Sequence, residues 1–215
     1  MASVTVKGTG SLSVTPDLIR INLDLQTRSR ECDEAMDMAE AALNELREIL
    51  CGCGFEKDAL KTSCFDVHTE YESQPDEHGN YRSVFKGYCC SHTMNLEFDL
   101  DTGRLAEVLK ALSGSEAAPQ LSVNFTVRNT ESVRGELIRQ SAASARNKAE
   151  LLCEASGVKL GKLLKINYDR SDMNFVSEVR YGVGMDCLRA NAKGVSIDPA
   201  DIKLTDCAEF EWEIN

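Results

Sequence analysis

The segment from Asn129 to Tyr168 constrains the fold most, because it predicts a long amphipathic helix, a glycine stop and a returning strand. The apolar helix face follows spacings of three and four and is rich in alanine: Ile138, Ala142, Ala145, Ala149 and Leu152, widened by Leu137, Leu151 and Ala155. Asn129 or Thr130 is expected to cap the start, and Gly157 to take the left-handed conformation that ends a helix. Such small side chains require close contact with a sheet or another helix.

Alternating apolar and polar residues predict strands on both sides of this helix. The predicted strands are 4–14, 19–26, 65–71, 88–100, 121–127, 164–168 and 202–214, with further helices at about 31–53 and 101–112. Gly8 and Gly10 fall on the apolar side of the first strand, which indicates a bulge or a close approach there. The predicted fold class is α+β: a mostly antiparallel sheet with two long helices and one short helix packed on one face.

The length of 215 residues fits one domain spanning 1–215, with a division into subdomains of about 1–115 and 116–215 as the alternative. Residues 72–80 are polar and are expected to form a hairpin loop. From 169 to 201 the periodicity fails, apart from one weak strand at 175–181. We interpret this stretch as an irregular excursion before the last strand.

The net charge of −11 argues against nucleic acid as a partner. No apolar run reaches the roughly 18 residues of a membrane span. Between residues 128 and 165, however, eight basic residues outnumber four acidic ones. Four of the basic residues, Arg134, Arg139, Arg146 and Lys148, lie on the predicted central helix. They are either simply solvated or form a contact surface for an acidic face of another copy.

The chain has nine cysteines, an odd number, and its first residues show no secretory signal pattern. Both features favour a cytoplasmic location with free thiols over a disulfide framework. Cys51, Cys53 and Cys89 are the candidate reactive thiols. The sequon at Asn124 is irrelevant without export.

No catalytic, cofactor-binding or metal site is predicted from the motifs. Cys51 and Cys53 offer two ligands where zinc needs about four. His68-Thr-Glu70 resembles half of the zinc deaminase motif, but the matching cysteine half is absent. His92 is expected to be a hydrogen-bonded core residue on the opposite sheet face from His68, and His78 an exposed loop residue.

Two further features of the sequence do not indicate a catalytic or binding site. Cys89 and Cys90 are adjacent, so their side chains should point to opposite faces of their strand. Gly157 to Gly161 has the wrong spacing for a phosphate loop and follows a helix instead of preceding one. No serine hydrolase elbow is present in the sequence.

Several segments, in order, resemble the SIMPL domain family, named for a signalling molecule that associates with mouse pelle-like kinase. They are residues 8–17 (GTGSLSVTPD), 54–63 (GFEKDALKTS), Gly87-Tyr88, 145–161 (ARNKAELLCEASGVKLG) and the last strand after Pro199. The resemblance covers residues 3–215. It implies an α+β fold, homo-oligomerisation and no established enzymatic activity. Many bacterial members are periplasmic or surface proteins linked to stress tolerance, and animal members are signalling adaptors.

The leading hypothesis is therefore a non-enzymatic, cytoplasmic, homo-oligomeric interaction or stress-associated protein, with another protein as a further partner. One alternative is a thiol-based redox or stress responder in which an exposed Cys51, Cys53 or Cys89 reacts. The other is a hydrolase whose motif is not recognisable in the sequence.

Overall fold

The structure is a computed structural model that describes residues 2–75, 80–169, 173–177, 181–183 and 198–215. Its elements are, in chain order, β1 (Ser3–Val14), β2 (Leu18–Ser29), α1 (Cys32–Gly52), β3 (Leu60–Pro75), β4 (Tyr81–Asp99), α2 (Thr102–Ser113), β5 (Gln120–Thr126), α3 (Thr130–Ala155), β6 (Leu160–Asn167), β7 (Tyr181–Val183) and β8 (Ile202–Ile214). The strands form two antiparallel sheets. The predicted α+β class is confirmed.

The chain divides into two compact units. Unit 1 comprises Met1–Asp17, Phe125–Glu178 and Pro199–Asn215, and unit 2 comprises Leu18–Asn124 and Val179–Asp198. The first and last strands of the chain belong to the same unit, so no single point in the sequence separates the two.

In unit 1 a three-stranded sheet has the order β1-β8-β6, and α3 packs on it. β1 pairs with β8 along its whole length, from Ser3 opposite Glu213 to Val14 opposite Ile202. The core between helix and sheet contains Val6, Ala145, Ala149, Ala208, Phe210 and Trp212. The alanine stripe of α3 therefore meets a sheet face, as the sequence predicts.

Glycines on β1 allow the helix backbone to come this close. A Cβ atom on Gly8 would lie 2.0 Å from the Ser141 carbonyl oxygen, and one on Gly10 would lie 2.2 Å from that of Leu137. The Ser141 hydroxyl donates a hydrogen bond of 3.0 Å to the Gly8 carbonyl oxygen. The close approach expected at Gly8 and Gly10 is thus present.

The buried stripe of α3 differs from the predicted one. Its buried residues are Leu137, Ser141, Ala145, Ala149 and Cys153, whereas Ile138, Leu151 and Leu152 are exposed. The prediction followed apolar residues alone, and the helix is rotated because Ser141 takes a core position opposite Gly8.

Both ends of α3 lie where the sequence predicts them. The Asn129 side chain accepts a hydrogen bond of 2.9 Å from the Ser132 amide, which makes Asn129 the N-cap. Gly157 has a φ of +71°, the left-handed conformation expected after the helix.

The strand that follows, β6, is not half-buried as its alternation predicts. Within the part of the chain that the structure describes, it pairs with β8 on one side only and forms an edge of the sheet. Leu164 and Ile166 are exposed. Two register irregularities, between Leu160 and Leu163 and between Leu163 and Lys165, interrupt the simple alternation on which the prediction rests.

In unit 2 a sheet of order β3-β4-β2-β5-β7 packs against α1, which also contacts α2. β2 supplies much of the core, with Ile19, Ile21 and Leu23 fully buried. Ala35 and Ala39 of α1 pack on the sheet face that carries Cys90.

The hairpin of β3 and β4 is longer than predicted, because β3 continues to Pro75 and β4 begins at Tyr81. His78 lies outside the described residues. In the predicted excursion, Val176 bridges to Thr126 and β7 pairs with β5, and most of 169–201 is likewise outside the described residues. Within the part of the chain that is described, no helix has the length and apolar character to cross a bilayer.

Candidate functional site

Three neighbouring strands of unit 2 bring an arginine, a cysteine and a histidine into one row. Cys89 of β4 lies opposite Arg28 of β2 on one side and opposite His68 of β3 on the other. Since the Cys90 side chain faces α1, the alternation of the strand directs Cys89 to the other face of the sheet.

Glu70 completes this group, which we call the His68 cluster: His68, Glu70 and Cys89. A ring nitrogen of His68, a carboxylate oxygen of Glu70 and the Cys89 sulfur all lie within 4.8 Å of one another. His68 is exposed, Glu70 is partly exposed, and Cys89 is only 1% exposed. A thiol is thus buried beside ionisable side chains on the face of the sheet away from α1.

Arg28 fixes the carboxylate of the cluster. Its Nε donates to both carboxylate oxygens of Glu70, at 3.0 and 3.1 Å. These hydrogen bonds lower the pKa of Glu70, and a hydrogen bond with Cys89 acts in the same direction. Glu70 is therefore ionised at neutral pH.

Asp66 fixes the imidazole. Its carboxylate lies 2.9 Å from Nδ1 of His68. A hydrogen bond at Nδ1 holds the proton there in the neutral ring and leaves the lone pair on Nε2. The ring is therefore set up as an acceptor or ligand through Nε2.

The backbone of β4 makes room for this arrangement. Gly87 lies opposite Glu70 and has a φ of +152°, and a Cβ atom there would be 2.4 Å from the Ser29 carbonyl oxygen. The register shifts just beyond this pair, between Glu70 and Tyr71. Without a side chain at Gly87, the backbones of β4 and β2 can lie this close to each other beside the cluster.

Sequence reasoning assigned the faces of these residues correctly but did not join them. It directed His68 and His92 to opposite faces of the sheet, and it considered Cys89 as a reactive thiol and as the neighbour of Cys90, but not together with His68. The signal that was available is the hairpin of β3 and β4, in which residue 68 lies opposite residue 88 in simple pairing and opposite residue 89 after a shift of one residue. Combining the hairpin with the HxE pattern would have suggested Cys89 as a neighbour of His68 without fixing the register.

The other candidate thiols lie outside the cluster. Cys51 and Cys53, partly exposed, are at the end of α1, and among the described residues the His68 cluster is the one group of three or more candidate metal ligands. Burial raises the pKa of the Cys53 thiol, which reduces its thiolate fraction. The expected exposure of Cys89 is wrong, because this residue is buried in the centre of three strands, which restricts access by oxidants.

The four basic residues of the predicted contact surface all interact within their own unit. Arg139 pairs with Glu136 at 2.6 Å, and Arg146 pairs with Glu150 at 2.9 Å. Lys148 donates to the Lys7 carbonyl oxygen at 3.1 Å, and the Arg134 guanidinium lies 5.6 Å from the Phe175 ring centroid.

A second exposed feature lies beside these residues, on the edge strand of unit 1. Leu163, Leu164 and Ile166 of β6 are 45%, 41% and 52% exposed. Next to them is a groove of about 360 Å³ lined by apolar side chains and by one ion pair: Ala142, Leu160, Leu163, Phe210, Trp212, Arg146 and Glu150. We call this strand and groove the β6 edge.

Comparison with known protein families assigns the chain to one of them. Residues 4–212 match SIMPL, the family described as "Protein of unknown function (DUF541)". The chain belongs to the SIMPL family. The matched range of this SIMPL protein includes both the His68 cluster and the β6 edge.

Two curated relatives are similar to this SIMPL protein. Both are called "26 kDa periplasmic immunogenic protein", one from Brucella abortus (strain S19) and one from Brucella melitensis biotype 1. Each is 23% identical over 168 residues, which is 77% of this chain and 66% of the relative. The match thus spans slightly less than two thirds of the relatives' length.

Proposed function

We propose that this SIMPL-family protein is a non-enzymatic interaction protein that self-associates through the β6 edge. The observation that carries the proposal is the exposure of Leu163, Leu164 and Ile166 on a strand whose outer side has no partner strand among the described residues. An apolar edge strand presents unpaired backbone groups and is a ready template for another chain.

A second copy of the same strand is the occupant that fits best. Two identical edges can pair antiparallel about a two-fold axis, which joins two three-stranded sheets into one of six strands. The side chains of one copy would then lie over the groove beside the β6 edge of the other. Pairing removes exposed leucine and isoleucine side chains from water in both copies.

The charges near the edge support self-pairing. Lysines on an edge strand usually repel a second strand. Here Lys165 lies opposite Glu211 of β8, and Lys162 lies 4.0 Å from Glu213. These glutamates offset the positive charge, so the edge is less protected against a second copy than its lysines suggest.

The basic face of α3 is the weaker candidate for the same role. Arg139 and Arg146 already pair with Glu136 and Glu150 along the helix. An acidic surface of another copy would have to compete with these pairs. The structure thus favours an apolar contact over the charged one that the sequence suggests.

The test is the molar mass in solution, measured by light scattering after size exclusion at micromolar concentrations. The wild type should be a dimer or larger, and a double variant Leu164→Lys, Ile166→Lys should be a folded monomer. Met38→Lys is the matched control, because Met38 is similarly exposed but lies on α1 of unit 2. A monomeric wild type, or a double variant that still associates, contradicts the proposal.

The cytoplasmic location stays a prediction, and the names of both relatives count against it because they place those proteins in the periplasm. The described cysteines are all free thiols, which is typical of a reducing compartment. Fractionation of the native cells distinguishes the two locations.

A further inference from the structure

We propose that His68, Glu70 and Cys89 form a binding site for a divalent transition-metal ion, with Zn²⁺ as the best fit. The three side chains offer an imidazole nitrogen, a carboxylate oxygen and a sulfur, whose atoms lie within 4.8 Å of one another. Zn²⁺ accepts this mixture of donors, whereas Mg²⁺ and Ca²⁺ prefer oxygen ligands alone.

The spacing requires only small side-chain movements. Bonds of about 2.0–2.3 Å in a tetrahedral zinc site separate the ligand atoms by about 3.3–3.8 Å. The cluster therefore has to contract by about 1 Å. His68 is exposed and Glu70 partly so, so a shift of this size towards the buried Cys89 does not require the core to repack. Water is expected to fill the fourth position.

The partners of the ligands fit a metal site. Asp66 contacts Nδ1 of His68 at 2.9 Å, and such a carboxylate orients the imidazole so that Nε2 can bind a metal. Arg28 contacts both oxygens of Glu70. One oxygen can bind the metal while the other keeps its hydrogen bond to Arg28.

The charges also balance once the thiol has lost its proton. The Cys89 sulfur lies within 4.8 Å of a carboxylate oxygen of Glu70. On binding, the metal takes the place of the thiol proton, which passes to solvent, and a sulfur–metal bond forms. The negative charges of Asp66, Glu70 and the Cys89 thiolate then offset those of Zn²⁺ and Arg28, so the site is formally neutral.

The test uses the full chain, freed of metal by a chelator and kept reduced. Zn²⁺ binding is measured by calorimetry, and Co²⁺ is used as a second probe because its thiolate complexes absorb in the near ultraviolet. The wild type should bind one Zn²⁺ per chain and show the thiolate band with Co²⁺. His68→Gln and Cys89→Ser should each weaken Zn²⁺ at least about tenfold, and Cys89→Ser should abolish the Co²⁺ thiolate band.

Cys64→Ser is the matched control, since Cys64 is an exposed cysteine on β3 outside the cluster. It should bind both metals as the wild type does. Asp66→Asn should weaken Zn²⁺ by about 10–100-fold while the thiolate band remains. His68 is exposed, so His68→Gln should fold normally, and circular dichroism checks this. The proposal is overturned if the wild type binds no stoichiometric Zn²⁺, or if Cys64→Ser reduces binding as much as the two ligand variants do.

Discussion

Two histidines on the same pair of strands have opposite environments, because the strands direct them to opposite faces of the sheet. His92 is buried and lies 2.8 Å from the Thr62 hydroxyl through its Nε2. It also packs edge-on against Phe65, with 5.2 Å between ring centroids. His68 is exposed beside Asp66. The predicted core role of His92 is confirmed.

The buried histidine predicts a pH dependence of stability. Burial lowers the pKa of His92, and the charge of Arg47 acts in the same direction. The unfolded chain therefore binds a proton more readily, near its ordinary pKa of about 6.5. The contribution of His92 to the free energy of unfolding should be fully present above that pH and should decrease as the pH falls below it. Urea unfolding at pH values on both sides of 6.5 measures the effect.

The matched variants for this measurement are His92→Gln and His68→Gln. The first removes the buried titrating group, so the free energy of unfolding should depend less on pH between about 5 and 7. It should also lower the free energy of unfolding at every pH. The second leaves His92 in place and should keep the dependence. Equal slopes in the wild type and His92→Gln would contradict the assignment.

At the residue scale, the sequence predicts which face of a strand a side chain occupies, since alternation depends only on the strand itself. It does not predict which residue lies across from it. The pairing of His68 with Cys89 depends on a register shift in the β3–β4 hairpin, between Glu70 and Tyr71. Bulges leave no clear signal in an alternating pattern, so the cluster could be suspected from the hairpin but not placed.

At the scale of elements, α3 shows how a helix can be predicted correctly in extent and wrongly in rotation. Its cap at Asn129 and its stop at Gly157 are local chemistry, and the sequence contains both. Its buried face depends on Gly8 and Gly10, which are more than a hundred residues away in the chain. A polar residue, Ser141, occupies the tightest contact, so hydrophobic periodicity alone selects the wrong neighbours.

Ala145 lies on both the predicted and the observed face, which makes it the position to test. Ala145 is fully buried against the sheet. A Cβ atom on Gly8 would lie 2.7 Å from the Cβ atom of Ala145. Ala145→Glu should destabilise the protein by about 3–5 kcal/mol, because it places an unpaired charge in this contact. Chemical denaturation followed by the fluorescence of Trp212 measures the loss.

Ala143→Glu is the control on the same helix, because Ala143 is exposed. It introduces the same side chain two residues away and should change the unfolding free energy by no more than about 0.5 kcal/mol. If both variants unfold at the same denaturant concentration, α3 does not pack through its alanine stripe.

At the scale of the whole molecule, the ends of the chain are joined in one sheet. β1 pairs with β8 over twelve residues, and β8 occupies the centre of the sheet. Composition along the sequence does not reveal such a discontinuous unit, because its segments are separated by the whole of Leu18–Asn124. The sequence therefore predicts the elements of unit 1 but not their grouping.

This grouping predicts the effect of deleting residues 1–14. The deletion removes the strand partner of β8 and the glycine surface under α3, together with Val6 from the core that holds Trp212. Trp212 is the single tryptophan of the chain, and it is buried and stacked on Phe210 at 5.5 Å. Its emission should shift to longer wavelength and the amides of α3 should exchange rapidly.

The amides of β2 and β4 should stay protected in that deletion variant, because Ile19, Ile21 and Leu23 form part of a separate core in unit 2. Deletion of residues 1–2 alone, which precede β1, is the control and should leave the Trp212 emission unchanged. Since β1 both pairs with β8 and forms the surface on which α3 packs, no other strand of unit 1 can replace it. A deletion variant whose Trp212 emission matches the wild type would show that unit 1 folds without its first strand.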